Sequence, residues 1–392
     1  MEDIAYRPQN VRETLVELKN ISELSVDLGY AAALYDYPLL AAEVLELEAR
    51  AYSLQYPAKI ALMLAAKRSS DAERLVGIVQ IVEAAVAITN AAGDIAAIVT
   101  DEIGLPAEVR ASVPAADEVL LRATVGDDNE VAGRALGELS FETEAGVSVI
   151  AIRRGDGWNI DPDDETLLEI GDVVIGSGPE AGVKTVHETL TGESVAIESR
   201  HREDVEELGR ASELLINLKD ISELAVGLAY AAVLFGDDQL AAEVRDLERQ
   251  SDALKNEVET LVIEAGTQVK EPARLRGLLH LATASEAICD AAMRIADIVL
   301  RDGTVHPVFG QAIGESNELI TTTTVEPEST LAGATLGGLE LEEGTGMSIM
   351  AIHRASDWIL APTGETGLQS GDVLIARGPR DGANTLREWA RE

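Results

Sequence analysis

The sequence is short of cysteine, lysine and aromatic side chains, and each shortage closes off a class of function. Its single cysteine, Cys289, cannot form an internal disulfide, which fits a reducing cytosol. It lies in an apolar helical stretch and reads as a small buried hydrophobe. Aromatic residues make up 3% of the chain, too few for a surface that stacks nucleic-acid bases. Basic residues number 31 against 70 acidic, a net charge of −39. Repulsion on that scale keeps a protein soluble and argues against nucleic acid or an anionic membrane surface as the main partner. Lysine is rare within the basic set. This acid-rich, lysine-poor balance reads as adaptation to the high-salt cytoplasm of a halophile, where counterions screen the repulsion.

Long uncharged apolar runs are missing too. Leu224–Phe235 is too short to cross a bilayer, and Ile81–Val99 carries Glu83, Asn90 and Asp94, so both read as packed helices of a soluble bundle. The N-terminal MEDIAYRPQN has neither a basic n-region nor an apolar h-region, so no secretory signal is expected and the expected location is the cytoplasm. There is no GxSxG elbow and no GxxxxGK[ST] loop. The five histidines, His187, His201, His280, His306 and His353, are scattered. None forms an HExxH or pairs with Cys289, which removes the usual zinc patterns. Nothing in the sequence supports an enzyme.

What the sequence does hold is a repeat. LKNISELSVDLGYAAALYDYPLLAAEVLELEAR from Leu18 is answered by LKDISELAVGLAYAAVLFGDDQLAAEVRDLERQ from Leu218. VAGRALGEL from Val131 is answered at Leu331, VSVIAIRR from Val147 at Met347, and GDVVIGSGP from Gly171 at Gly371. The offset is 200 each time, so the chain is a tandem duplication of a two-part unit. The first part, about 12–102 and 212–302, is rich in Ala, Leu and Glu. Leu15, Leu18, Ile21, Leu24, Leu28 and Ala31 follow the rhythm of one helix face. A break at Asp36–Pro38 and a cap at Ser69–Asp71 predict three helices per unit. The second part, about 116–190 and 316–390, changes to period two, with strands at Glu118–Val125, Val147–Arg153 and Asp172–Ile175, and a closing helix at Pro179–Leu190. Expected domain spans are 1–110, 113–192, 198–308 and 312–392.

AGRALGEL, GVSVIAIRR and GWNIDPDDETLLEIGDVVIGSGP, with AGATLGGL, GMSIMAIHR and DWILAPTGETGLQSGDVLIARGP in the second copy, resemble the C-terminal domain of RCK/TrkA regulators of potassium transport. The helical halves are similar to PhoU-type bundles, on helix count, texture and domain pairing. The fold class implied is multidomain α and α+β: two three-helix PhoU-like bundles alternating with two small RCK C-terminal-like α/β modules. The resemblance implies a cytoplasmic regulator of a membrane potassium transporter or channel. It also implies that the modules pair, either as a homo-oligomer or as a pseudo-dimer within one chain. Some members of that family bind cyclic di-AMP at the paired modules. Carried over, the ligand positions are Ile152, Arg153, Arg154, Ile160 and Pro162, with Ile352, His353, Arg354, Leu360 and Pro362 opposite.

Read on their own, Gly171-Asp172 and Gly371-Asp372 are turns ahead of a buried strand, with glycine taking positive φ. Arg153, Arg154, His353 and Arg354 are open to two readings. One is salt bridges to nearby acids; the other is a planar fork for phosphate or adenine. The family's Rossmann domain is missing, and Gly176-Ser-Gly178-Pro-Glu-Ala-Gly182 is spaced wrongly for a dinucleotide turn. Glu286 with Asp290, and Asn90 with Asp94, have the spacing of helical metal ligands in PhoU-type proteins. In so acidic a chain that spacing also arises by chance. The alternative function is a phosphate-transport adaptor of PhoU type, acting by protein contacts and metal binding.

Overall fold

The computed structural model describes residues 11–65, 69–106, 109, 119–127, 131–160, 162–193, 206–266, 273, 275–301, 318–339, 341–355, 357–360 and 362–391. Helices α1 (Val11–Tyr35), α2 (Pro38–Ala65) and α3 (Ser69–Thr100) form the first bundle. The face predicted for α1 is the one buried, from Leu15 to Ala31. The helix stops where Asp36 turns to φ 54°, and Pro38 opens the next helix, where its missing N–H removes no hydrogen bond. Later in the chain α5 (Glu206–Phe235), α6 (Asp238–Ala265) and α7 (Leu275–Leu300) repeat the design. There Gly236 takes the positive φ, and Asp237 caps α6 by accepting from the Gln239 and Leu240 N–H groups.

The bundles join through α1 against α5 and α3 against α7. On the first seam, Tyr30 Oη lies 2.6 Å from Ser222 Oγ and 2.7 Å from Ser285 Oγ, while Tyr230 Oη lies 2.9 Å from Ser22 Oγ. Reciprocal pairing of 22 with 230 and 30 with 222 places an approximate two-fold axis between residues 26 and 226. Both tyrosines are fully buried, so these hydroxyls need their partners. Leu75–Thr100, within α3, is long and apolar enough by length and composition to cross a membrane. Here it is a core helix, most of it covered by the other helices.

Each bundle is followed by a four-stranded antiparallel sheet. The first has order β1-β4-β2-β3, from β1 (Val119–Thr124), β2 (Ser148–Arg154), β3 (Gly157–Ile160) and β4 (Val173–Gly178), with α4 (Glu180–Thr191) against one face. The second repeats it as β5-β8-β6-β7, from β5 (Glu318–Thr324), β6 (Ser348–Arg354), β7 (Asp357–Leu360) and β8 (Val373–Pro379), with α8 (Arg380–Trp389). Both sheets therefore have two buried faces. Leu121, Ile152 and Val174 pack with Val183 and Val186 of α4, whereas Ala151 and Ile175 join the core of the helical bundles. A β-bulge between Val149 and Ala151 makes this possible, since it turns both Ile150 and Ala151 toward the helices. The same bulge recurs between Ile349 and Ala351.

The glycine run after β4 has a packing reason. A Cβ on Gly182 would collide with the Ala145 carbonyl, and one on Gly178 would strike the Gly146 carbonyl at 2.5 Å. Only a bare backbone lets strand and helix approach that closely.

Candidate functional site

Charge fixes each sheet to its bundle. In the first half Glu43 of α2 is buried and accepts from two arginines. Arg153 Nε reaches its Oε2 at 2.5 Å, and Arg122 Nη2 its Oε1 at 2.9 Å. Burial alone would raise the Glu43 carboxyl; the two guanidinium groups outweigh it and hold it below the ordinary range. In the second half the same corner is weaker. Thr322 replaces Arg122, and His353 replaces Arg153. The His353 ring stacks on Trp358 with centroids 4.8 Å apart and puts Nδ1 3.0 Å from Glu243 Oε1. Among the described residues Glu243 Oε2 is buried without a hydrogen bond, and burial pushes this carboxyl up despite His353.

Arg154 and Arg354 have a different task. Arg154 grips the fully buried Asp172 with both arms of its fork, Nε to Oδ1 at 2.8 Å and Nη2 to Oδ2 at 2.7 Å, and Arg354 holds Asp372 with the same two distances. Burial would raise the Asp372 carboxyl, but the Arg354 fork and the Gln369 N–H hold it below the usual range. These forks tie the Gly-Asp turn to the end of β2 or β6. In each pair the aspartate is buried while its arginine stays partly exposed.

Over the crossing of α1 and α5 lies a cavity of about 340 Å³, with walls from all four parts of the chain. Lys19, Glu23 and Asp27 come from α1, and Glu223, Val226 and Tyr230 from α5. The first sheet adds Val149, Ile150 and Ile160, and the second adds Ile320, Met350 and Arg377. Lys19 pairs with Glu23, and Lys219 with Glu223, at 2.6 Å each. Burial pushes the Glu223 carboxyl up. Asp27 opens onto the cavity, and no hydrogen bond or ion pair reaches it among the described residues. Asp27 stands exposed at the cavity's mouth; the surrounding protein and the neighbouring Glu223 push its carboxyl up.

Of the ten residues taken from the sequence, Ile160 alone lines this cavity. Ile152 and Ile352 belong to the inner cores of the modules, on the faces turned away from the bundles. Arg153 and His353 sit at the sheet–bundle corners, and Arg154 and Arg354 on the buried aspartates. Leu360 packs into the bundle core, and Pro162 and Pro362 lie half-buried just past β3 and β7. The sequence reading missed Asp27, Glu223 and Arg377. The signal was available: at the offset of 200, Asp27 answers Gly227 and Ser177 answers Arg377, charge changes within otherwise matched stretches. As for metal, no group of three His, Cys, Asp or Glu gathers among the described residues, and Glu286 lies 3.2 Å from Lys255 Nζ.

A TrkA-C domain family model matches residues 120–191 and again 320–391, and a PhoU domain model matches residues 215–299. The chain thus carries two TrkA-C domains, one on each sheet module, and a PhoU-like helical region. No curated protein matches it. Among solved structures it is similar to PhoU from Pseudomonas aeruginosa, with 14% identity and a TM-score of 0.42 over 74% of this chain and 96% of that one. It is also similar to the GsuK RCK domain, with 14% identity and a TM-score of 0.19 over 70% of this chain and 64% of that one. The human SLO3 gating ring gives 13% identity and a TM-score of 0.22, over 67% of each.

Proposed function

We propose that this chain is a non-catalytic regulator of potassium transport, which binds a small effector in the cavity between its two TrkA-C modules. One observation carries the reading: a single cavity is walled by α1, α5 and both sheets. An occupant there touches one helix of each bundle and both sheets, so an effector that fits one arrangement better than another shifts the balance between them. The TrkA-C matches supply the class of process, and a membrane cation transporter or channel is the proposed partner, contacted from the cytoplasmic side. Cyclic di-AMP is the first effector to try, because some proteins with such modules bind it.

The test is thermal unfolding in molar KCl, a medium suited to so acidic a chain, with and without cyclic di-AMP. A ligand selective for the folded state raises its apparent stability. The reading predicts a rise in Tm that is abolished by Ile150→Trp, which fills the cavity. A rise untouched by that change places the effector elsewhere, and no rise with this or other nucleotides counts against a nucleotide-sensing role.

A second reading, an adaptor of PhoU type acting by protein contact, is favoured by the outer face of α2. Leu45, Tyr52, Tyr56 and Met63 stand exposed there at helical spacing. At the matching places α6 has Arg245, Asp252, Asn256 and Ile263. Pull-down with membranes of the source cell, comparing the chain with Tyr52→Asp/Tyr56→Asn, separates a contact through α2 from one through the modules.

A further inference from the structure

The duplication provides an internal control for the outer surface. On α6 the solvent face is what a solvated helix should be, with Arg245, Arg249, Asp252 and Asn256 exposed. At the same places α2 exposes Leu45, Ala49, Tyr52 and Tyr56. Six of the eleven large apolar side chains that stay exposed among the described residues lie on α2, and one, Ile263, on α6. One helix of this fold does without the stripe, so folding does not require it. The exposed parts of the α2 side chains amount to on the order of 600 Å², near the ~800 Å² that each partner contributes to a standard interface.

Charge narrows what can cover this face. Between Ala49 and Ala65 α2 has no Asp or Glu, whereas the same stretch of α6 has Asp252, Glu257, Glu259 and Glu264. The two cations of the stretch are engaged within the chain, Arg50 with Glu17 at 2.6 Å and Lys59 with Glu83 at 2.8 Å. An anionic lipid surface would call for unpaired cations beside the tyrosines. The face is close to neutral on a chain of net charge −39. Two copies of such a chain repel over most of their surface, and this is a place where they can meet without that cost.

The spacing names the occupant. Leu45, Ala49, Tyr52, Tyr56, Lys59 and Met63 follow steps of four, three, four, three and four, the rhythm of a coiled-coil seam. The opposite face, with Leu47, Ala51, Leu54, Ala58 and Leu62, is buried in the bundle of α2 itself. The step pattern reads the same in both directions about residue 54, which is the self-complementarity that a two-fold interface needs. Pro57 lies beside the seam, and α2 runs through it unbroken.

From these features we infer that the outer face of α2 is a homodimer seam, on which two copies of the chain pack α2 against α2 in antiparallel register about residue 54. Tyr52 then meets the partner's Tyr56, Leu45 meets the partner's Met63, and the small Ala49 leaves room for the stem of the partner's Lys59. Ser53 and Gln55, which flank the centre, bring no like charges together. An interface of this size gives a dimer that dissociates on dilution. The assignment goes beyond the regulator reading and does not depend on an effector in the cavity.

Sedimentation equilibrium of the full chain in molar KCl, over a range of concentrations, tests it. The expected mass rises from 41.6 kDa toward twice that value. Tyr52→Asp, which installs the α6 residue, is expected to weaken association at least tenfold, because the change enters a two-fold interface twice. Ile263→Asp on α6 is expected to change nothing. Register is read separately by oxidising Leu45→Cys and Met63→Cys chains alone and mixed, the native Cys289 being buried. The mixture is expected to give cross-linked dimer and neither chain alone to do so, since like positions lie about 27 Å apart along the antiparallel seam. A monomer at every concentration overturns the assignment, as does a dimer that Tyr52→Asp leaves intact. Cross-linking of Leu45→Cys with itself overturns the antiparallel register. If the chain stays monomeric while Tyr52→Asp/Tyr56→Asn loses capture by membranes, the stripe belongs to another protein and the homodimer assignment falls.

Discussion

His353 lies 3.0 Å from Glu243, at the corner where the other half of the molecule joins Arg153 to Glu43 at 2.5 Å. A guanidinium fork in one half is thus an imidazole ring in the other, and among the described residues one oxygen of Glu243 stays buried without a hydrogen bond. Placing the first half's residue in the second, His353→Arg, is expected to stabilise the protein by about 1 kcal/mol. Arg153→His should do the reverse. Chemical denaturation of both variants measures it.

Arg354→Ala leaves the buried Asp372 carboxylate without its fork and is expected to destabilise the protein by about 3 kcal/mol. Because the folded-state pKa of Asp372 lies below its unfolded value, this contribution is present above the unfolded pKa and is lost as pH falls through the folded one. The difference between the variant and the parent should therefore close in acid, below about pH 4. A constant difference across pH would show that the charge is not what matters.

Tyr30→Phe removes hydrogen bonds to both Ser222 and Ser285 and should cost about 1–2 kcal/mol. Tyr230→Phe removes the bond to Ser22 and should cost about 1 kcal/mol. Since both lie on the seam of α1 and α5, their effects should add less than fully when combined. Full additivity would mean that the seam does not act as one unit.

Exposed positions should behave otherwise. Giving α2 the residues of α6 by Tyr52→Asp and Tyr56→Asn is expected to change stability by no more than about 0.5 kcal/mol each. A loss above about 2 kcal/mol would show that the stripe is packed within the chain.

Much of the fold was legible because its causes are periodic. Leu15, Leu18, Ile21, Leu24 and Leu28 mark one helix face, and Val147–Arg153 reads as a buried strand. The constant offset of 200 then doubles every such inference. Gly171-Asp172 was read rightly as a turn, but its partner Arg154 was not, since nothing local says that an arginine eighteen residues away closes on that aspartate. The short strands β3 and β7 were missed because four residues give too little alternation. The cavity was invisible for a deeper reason. It is made by helices and sheets more than 60 residues apart in the chain, and only the approximate two-fold between the halves brings Asp27 to Ile150 and Met350. The bulge after Val149, which turns Ile150 and Ala151 to one side, has no sequence signature.

The most direct test is the distance between the two modules. The one native cysteine, Cys289, is buried, so spin labels can be placed at exposed Asp127→Cys and Glu328→Cys and read by double electron–electron resonance. The account predicts that a saturating effector shifts the distribution between modules, and that Ile150→Trp, with the cavity filled, abolishes the response. An unchanged distribution with the effector bound would contradict it, because the cavity would then be a site that regulates nothing.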